Sequence, residues 1–306
     1  MNIARRQVLA GGLAAAVPVC HLPTTPHHPH TPAHPPVLNT PRYRSGPVRF
    51  GANSLAWRQF AHAVPKARYV RQYWHGVNKI EPAWPRFAGA LTLLSFEPYP
   101  RDLLHGRLDA KLRKLAATAP RGSVLVPWYE AGPANPRSYG KFVTATAVRE
   151  CQGYLHHLLR HTNVRVGSII CGPADQLEDW MAGHLKVYSA DIDGDWFMRA
   201  DRTFETDRFE KRSEANLAIW RRKAGVSWPQ VMLAETNSSE PEWFALVASW
   251  HAMHGGADLL TFWDENRSCQ GTAAKPWPPS AEVISQIRRL SEIYDGTKFA
   301  GGAPPG

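Results

Sequence analysis

The sequence has few cysteines and lacks the glycine-rich loops that hold phosphate groups in nucleotide-binding proteins. Its four cysteines fit neither a zinc-binding pattern nor a dense disulfide framework, so we expect at most one disulfide bond. A doubly wound nucleotide-binding fold needs glycines at its first strand-to-helix turn, where the backbone approaches a pyrophosphate. No internal repeat is visible either. These absences argue against a nucleotide-binding fold, a zinc-stabilised domain and a repeat protein.

Long runs of one charge are also missing, although the chain is basic. It carries 36 Lys and Arg residues against 26 Asp and Glu residues, a formal net charge of +10. The basic residues stand singly or in short groups such as Arg221, Arg222 and Lys223. Nucleic-acid-binding domains instead concentrate them in a patch or stripe. We therefore expect no nucleic-acid partner; a basic protein that adheres to anionic wall polymers is an alternative use of the charge.

The amino terminus carries no apolar run long enough to span a bilayer. The stretch from Val8 to Val19 is too short for that and follows Arg5 and Arg6, which is the arrangement of a twin-arginine export signal. This pattern predicts a signal at residues 1–22, no membrane span, and a folded protein that is secreted or associated with the cell envelope. The alternatives are a disordered tail with two chance arginines and, less favoured, lipidation of Cys20.

The segment after the signal, residues 23–47, is dominated by Pro, His and Thr and predicts an extended linker. Its histidines are interpreted as part of a solvated tether, because a flexible tract gives a metal ion little preorganisation. Residues 48–300 follow as one large domain, since 306 residues with 43% hydrophobic content can bury a full core. Residues 301–306 are predicted to be a disordered tail.

Short β-rich runs alternate with amphipathic segments in this domain, which predicts a parallel sheet covered by helices. Eight is the number of strands that a closed barrel requires, so we predict an α/β protein with a single (β/α)8 TIM barrel and expect a monomer. The predicted strands begin near Val48, Tyr69, Leu91, Ser123, Val164, Lys186, Gln230 and Asp258.

The helices are predicted from apolar residues at three- and four-residue steps. One helix carries Leu108, Leu112 and Leu115, and the next is predicted to begin at about Ser138, with Tyr139 and Val143 on its apolar face.

Proline and serine mark the starts of two later helices. Pro241 suits a first helical turn, and Ser280 can cap the last helix. The segment 75–90 contains Pro82 and Pro85, and we predict no helix there.

The chemistry of a TIM barrel lies at the carboxyl ends of its strands. The fourth and seventh predicted strands end in Glu130 and Glu235, and these two strand ends face each other across the barrel mouth. Glycoside hydrolysis needs such a pair: one carboxyl group protonates the departing oxygen, and the other attacks or stabilises the oxocarbenium-like carbon. A retaining enzyme would hold the two carboxyl groups roughly 5 to 5.5 Å apart.

Further polar and aromatic residues follow the same strand ends. Tryptophan rings offer faces on which sugar rings stack, with packing in the barrel as the alternative for part of the set. Asp193, Glu97 and Asp264 would bind sugar hydroxyls or adjust the ionisation of the pair. Asn237 or a rim tyrosine would donate a hydrogen bond to Glu235. The predicted substrate-binding residues are Trp57, Trp74, Glu97, Trp128, Asp193, Trp196, Asn237, Trp263 and Asp264.

The arrangement of one glutamate after the fourth strand and another after the seventh resembles that of the large clan of retaining barrel glycosidases. Within that clan the chain is similar to glycoside hydrolase family 26 and its actinobacterial relatives, which include β-mannanases. The similarity covers about Val48 to Asp295 and implies that Glu130 is the general acid/base and Glu235 the nucleophile. The matching segments are Pro127-Trp128-Tyr129-Glu130, Ala190-Asp191-Ile192-Asp193-Gly194 and Leu233-Ala234-Glu235.

The sequence therefore predicts a secreted, β-mannanase-like retaining glycoside hydrolase that acts on a polysaccharide or oligosaccharide. That mechanism needs neither a cofactor nor a metal ion. The alternative is a non-catalytic carbohydrate-binding or cell-envelope barrel that has lost hydrolase activity.

Overall fold

The fold is seen in a computed structural model that describes residues 44–54, 57–128, 131–132, 143–170, 172, 174–192, 194–261 and 280–294. All of them belong to one compact unit, Thr40–Gly306. The predicted signal, most of the predicted linker and the predicted tail lie outside the described residues. So do Glu130, Asp193, Trp263 and Asp264.

Eight strands form within these ranges, each from a short and mostly apolar run. All pair in parallel with their neighbours in sequence, and the last pairs with the first, so the predicted single TIM barrel is confirmed. Each strand begins within one residue of its predicted start, because strands buried on both faces carry a near-continuous apolar signal. They are β1 (Val48–Asn53), β2 (Tyr69–Val77), β3 (Leu91–Glu97), β4 (Val124–Pro127), β5 (Arg165–Ile169), β6 (Val187–Asp191), β7 (Gln230–Glu235) and β8 (Ala257–Thr261).

Eight α-helices lie within the described ranges and surround the barrel. None of these helices has the length and apolar character needed to cross a bilayer. They are α1 (Trp57–Ala63), α2 (Pro100–Leu104), α3 (Asp109–Ala117), α4 (Ala145–Leu159), α5 (Ala174–Leu177), α6 (Thr206–Ala224), α7 (Pro241–Met253) and α8 (Ala281–Tyr294).

The apolar residues of the strands divide into two layers, because successive side chains point to opposite faces of the sheet. Residues on the outer face, such as Phe50, Leu94 and Leu259, pack in one cluster with helical residues such as Leu112 and Leu115 of α3. The helices therefore bury their apolar stripes on the outside of the barrel. The inner layer packs on itself and consists of Tyr69, Leu93, Val124, Val126, Ile169, Val187, Met232, Ala234 and Leu260.

The start of α4 corrects one sequence prediction. The helix begins at Ala145, and the Thr144 Oγ1 atom accepts a hydrogen bond from the Ala147 amide at 3.2 Å. Thr144 caps the helix, and its extended backbone (φ −96°, ψ 162°) marks the point at which the helix begins. Val143, which we predicted on the apolar face of the helix, thus precedes it, and Tyr139 lies outside the described residues.

The other helix signals are confirmed. Pro241 stands in the first turn of α7, and the Ser280 Oγ atom accepts a hydrogen bond from the Val283 amide at 3.3 Å ahead of α8. Residues 75–90 complete β2 and then form turns without a helix, as their prolines predicted.

The first described residues, 44–47, form an amino-terminal strap against the end of α7. The amides of Arg44 and Gly46 donate to the carbonyl groups of Met253 (2.9 Å) and Ala252 (2.8 Å), and the Gly255 amide donates back to the Arg44 carbonyl (2.6 Å). Contacts with the barrel domain therefore begin inside the segment that the sequence assigned to the linker.

Candidate active site

The carboxyl ends of all eight strands meet at one rim of the barrel, because the strands are parallel and the barrel is closed. Glu97 is the last residue of β3 and Glu235 the last residue of β7, so both lie at this rim. The strand β4 ends at Pro127, three residues before Glu130. The separation between Glu130 and Glu235 falls outside the described residues.

A bulge in β7 directs Glu235 into the barrel mouth. Ala190 of β6 pairs with Leu233, but the next residue, Asp191, pairs with Glu235, so Ala234 is an extra residue on β7. Ala234 faces the barrel interior, and simple alternation would turn Glu235 outward. An extra residue in a strand re-aims the side chain that follows it, and the contacts of Glu235 show that it points inward.

Two side chains of β2 hold the Glu235 carboxylate. The Arg71 Nη1 atom lies 2.9 Å from Glu235 Oε1, and the Tyr73 hydroxyl donates a hydrogen bond to the same oxygen at 2.7 Å. The Arg71 side chain is 1% exposed and that of Glu235 is 18% exposed. A buried guanidinium needs a charged partner close by, and Glu235 supplies it. Oε2 accepts no hydrogen bond from any described residue, so one oxygen is anchored and the other is available.

Arg71 and Tyr73 also support each other. The Arg71 guanidinium carbon lies 4.6 Å from the centre of the Tyr73 ring, within the range of a cation–π contact. Both residues share the inward face of β2 with Tyr69, as the two-residue period of a strand requires. The two side chains therefore contact each other as well as the Glu235 carboxylate.

Glu97 is held by the end of β2. Its Oε2 atom accepts a hydrogen bond from the Gly76 amide at 3.0 Å, and its Oε1 atom lies 3.7 Å from His75 Nδ1. The His75 ring in turn stacks on Tyr73, with ring centres 6.0 Å apart. A chain of contacts thus joins Glu97 to Glu235 through His75 and Tyr73. These contacts suit Glu97 for positioning rather than for proton transfer.

The residue after β4 has a strained backbone. Trp128 has φ +56°, in the left-handed region that a bulky side chain rarely adopts. Its side chain is 1% exposed, and its amide donates to the Phe96 carbonyl at 2.7 Å. Strain of this kind costs roughly 1 to 3 kcal/mol and clusters at functional sites. It occurs here two residues before Glu130 in the sequence.

The predicted rim tryptophans differ in exposure. Trp57, Trp74 and Trp128 are buried in the cluster between the barrel and the helices. Large apolar side chains of this kind are mostly buried in folded proteins. Trp196 is 38% exposed, with the Arg212 guanidinium 5.0 Å from its ring centre. Among the described tryptophans of the predicted set, Trp196 therefore offers the open ring.

Asn237 belongs to a tightly packed loop after β7. Its side chain is buried, and its carbonyl accepts a hydrogen bond from the Gly194 amide at 2.7 Å. The neighbouring Thr236 Oγ1 atom accepts one from Trp243 Nε1 at 3.0 Å. A Cβ on Gly194 would lie 2.8 Å from the Ser238 Cβ, so the loops after β6 and β7 fit only with glycine there. This packing fixes the backbone that follows Glu235.

Sequence reasoning found Glu235 but missed Arg71 as part of the site. The signal was present in the alternation of Tyr69, Arg71 and Tyr73 along one strand, which places all three on one face. An arginine on the inward face of a barrel strand needs a carboxylate partner, and Glu235 was available at the same rim.

Comparisons with known proteins support the fold. No known family pattern and no curated protein sequence matches this chain. A solved fungal β-1,4-galactanase is similar, with 11% identity over 80% of this chain and 100% of that chain and a TM-score of 0.52. A β-D-glucuronidase from Dictyoglomus thermophilum has 11% identity, coverage of 83% and 52%, and a TM-score of 0.50.

A family 26 glycoside hydrolase is also among the similar structures. This endo-β-1,4-mannanase from Cellulomonas fimi has 15% identity over 66% of this chain and 54% of that chain, with a TM-score of 0.40. This chain thus spans about half the length of the mannanase and glucuronidase chains. At these identities the likeness shows the barrel fold alone.

Proposed function

We propose that this protein is a retaining, β-mannanase-like glycoside hydrolase, with Glu235 as the nucleophile and Glu130 as the general acid/base. The observation that carries the proposal is the double anchoring of Glu235 Oε1 by Arg71 and Tyr73 at the carboxyl rim. A nucleophilic carboxylate has to be ionised and oriented before the substrate arrives. A glutamate that merely faced water would not require a buried arginine beneath it.

The mechanism uses the two oxygens of Glu235 differently. Oε2 attacks the anomeric carbon while the glycosidic bond breaks and Glu130 gives its proton to the departing oxygen. The resulting glycosyl-enzyme is hydrolysed by a water molecule, which passes a proton to Glu130 as Glu235 leaves. Arg71 and Tyr73 hold Oε1 throughout both steps. Trp196 offers a ring face to a sugar unit, and Asp193, Trp263 and Asp264 complete the proposed substrate site.

The substrate is proposed to be an extracellular polysaccharide, since the amino terminus carries a twin-arginine export pattern at Arg5 and Arg6. Mass spectrometry of the exported protein should show a chain that has lost about its first 22 residues. An intact Met1, or protein confined to the cytoplasm, would contradict export.

The activity is tested by incubating the protein with β-1,4-mannan, β-1,4-galactan and β-glucuronides, the substrate classes of the similar structures. Product release should fall about 10²- to 10⁴-fold in Glu130→Gln and at least as far in Glu235→Gln. Glu292→Gln, at an exposed position of α8, is the matched control and should keep the parent rate.

The stereochemistry of the product tests the retaining mechanism. NMR of the first product should show the same anomer as the substrate linkage. An inverted product would contradict the retaining mechanism. Glycan binding without turnover in the parent protein would instead select the non-catalytic carbohydrate-binding barrel.

A further inference from the structure

The amino-terminal end of the barrel, opposite Glu235, is closed by a polar network. Its members stand at the first or second positions of their strands, where the apolar inner layer ends. Arg165 donates through Nη1 to the Gln230 side chain and through Nη2 to the Tyr69 hydroxyl at 2.6 Å. The Gln230 Nε2 atom donates to Asp258 Oδ2 at 2.9 Å, and Asp258 Oδ1 lies 3.6 Å from Arg49 Nη1.

A cleft of about 530 Å³ opens next to this network. Four arginines from separate segments converge on it: Arg49, Arg68, Arg121 and Arg165. None of the described residues that line the cleft is acidic. The volume falls within the range of about 300 to 1,000 Å³ that small-molecule sites occupy.

Positive charge in the cleft exceeds the negative charge nearby. Asp258 is the carboxylate of the adjoining network, and burial raises the pKa of its carboxyl group, with Arg49 opposing the rise. The same sign of charge on four converging side chains is unfavourable unless a counter-charge is present.

Two of the arginines have side chains outside the network. Arg68 and Arg121 are exposed. Their side chains form no hydrogen bond with any described residue, and Arg68 acts on the network only through its charge, which lowers the pKa of Asp258. The Arg165 guanidinium instead donates to Gln230, Tyr69 and the Gly122 carbonyl, so it contributes charge to the cleft. The exposed guanidinium groups of Arg68 and Arg121 are therefore available to an oxyanion, which such groups bind in a bidentate manner.

We propose that this cleft binds a small phosphorylated ligand, whose phosphate group is held by Arg68 and Arg121, with Arg49 and Arg165 adding positive charge beside it. A phosphate monoester carries a charge of about −1.5 to −2 at neutral pH and offers three acceptor oxygens. That charge offsets the excess from the arginines better than a single carboxylate would. The volume leaves space beyond the phosphate, so a sugar unit fits as its carrier.

The test is calorimetric titration of the full chain with inorganic phosphate, a hexose 6-phosphate and glucuronate, each at the same low ionic strength. The double variant Arg68→Gln/Arg121→Gln removes two exposed side chains and leaves the network intact. Its affinity for the phosphate ligands should fall at least about tenfold, because charge-assisted hydrogen bonds are lost. The control Arg58→Gln/Arg289→Gln removes the same charge from two other exposed arginines and should bind like the parent.

The outcomes separate the ligand classes. Tighter binding of the hexose phosphate than of inorganic phosphate supports a phosphorylated sugar, and comparable binding supports free phosphate as the ligand at the same site. Equal weakening in both double variants, no binding to the parent, or a preference for glucuronate would overturn the proposal. Glycan hydrolysis should be unchanged in both double variants, so this test stands even if the proposed hydrolase function fails.

Discussion

At the scale of single residues, the candidate site depends on how one oxygen of Glu235 is held. Arg71 supplies charge and Tyr73 supplies a neutral donor to the same atom. The two contributions are separable, because loss of the tyrosine hydroxyl leaves the buried ion pair in place. Tyr73 is therefore the more informative position for substitution.

We predict that Tyr73→Phe lowers kcat about 10- to 100-fold with little change in KM. The lost hydrogen bond to a charged group is worth roughly 1.5 to 3 kcal/mol, and it acts on the nucleophile rather than on substrate binding. The effect is measured by steady-state kinetics on whichever of the mannan, galactan and glucuronide substrates the parent protein hydrolyses. The ring and its stacking on His75 remain, so the unfolding free energy should fall by no more than about 3 kcal/mol and the variant should stay folded.

The matched control is Tyr154→Phe. The Tyr154 hydroxyl also donates to a carboxylate, Asp109 Oδ1 at 2.8 Å, but between α4 and α3. This variant should retain the parent kcat. An unchanged kcat in Tyr73→Phe, or equal losses in both variants, would show that the tyrosine does not position the nucleophile.

Single residues also mark where sequence reasoning reached its limit. Glu235 was recognised because an apolar run ends in a carboxylate, which is a local signal. Arg71 was missed because its meaning depends on a partner 164 positions away in the chain, which only the barrel closure brings near. The arginines of the amino-terminal cleft stood out only as scattered basic residues for the same reason.

At the scale of elements, irregularities in the strands set the site. The extra residue Ala234 in β7 turns Glu235 inward, and a register shift between Trp74 and Val77 in β2 brings the Gly76 amide to Glu97. The strand positions were predictable from apolar runs, but these bulges were not, since an extra residue leaves the apolar pattern almost unchanged.

The start of α4 was predicted too early, because apolar residues continue at helical spacing on the amino-terminal side of Thr144, the residue that caps the helix.

The helix α7 carries a buried histidine near its carboxyl end. Burial lowers the pKa of His251 to about 3, with a smaller contribution from His254. Its Nε2 atom has no hydrogen-bond partner among the described residues, and the Trp250 ring lies edge-on at 4.8 Å between ring centres. The folded protein therefore holds this imidazole in its neutral form.

We predict that the stability of the fold falls with pH below about 6.5, partly through His251. The folded-state pKa lies below the unfolded value, so this contribution is complete above pH 6.5 and is lost as the pH falls toward 3. The slope from one such group is at most about 1.4 kcal/mol per pH unit.

Urea unfolding at several values between pH 7.5 and 4.5 tests this prediction. The variant His251→Leu should show a shallower loss than the parent over that interval, because it has no imidazole to protonate on unfolding. Identical slopes for the two proteins would contradict the assignment to His251.

At the scale of the whole molecule, the barrel presents two chemically different ends. The carboxyl rim carries Glu235 and its donors, and the amino-terminal end carries the arginine-lined cleft. The fold class was predictable because eight apolar runs and the intervening helices leave few alternatives. The amino-terminal cleft was not predictable, since it is formed by strand starts and loops that are far apart in the sequence.

Closure of the barrel joins the first and last parts of the domain. β1 pairs with β8, and the amino-terminal strap continues this contact against the segment between α7 and β8. An added Cβ at Gly46 would lie 2.1 Å from the carbonyl carbon of Gly255. Both are backbone positions with no flexible side chain to move aside, so the strap would have to separate from the domain.

We predict that Gly46→Ala lowers the unfolding free energy by about 3 kcal/mol, since forced overpacking and lost backbone hydrogen bonds add together. Gly183→Ala is the matched control, because its added Cβ would meet no atom closer than 3.6 Å and should change the free energy by less than about 1 kcal/mol. Urea unfolding of both full-length variants measures the difference. If Gly46→Ala were as stable as the control, the strap would not contribute to closing the barrel, and the domain would begin at Val48 as the sequence alone suggested.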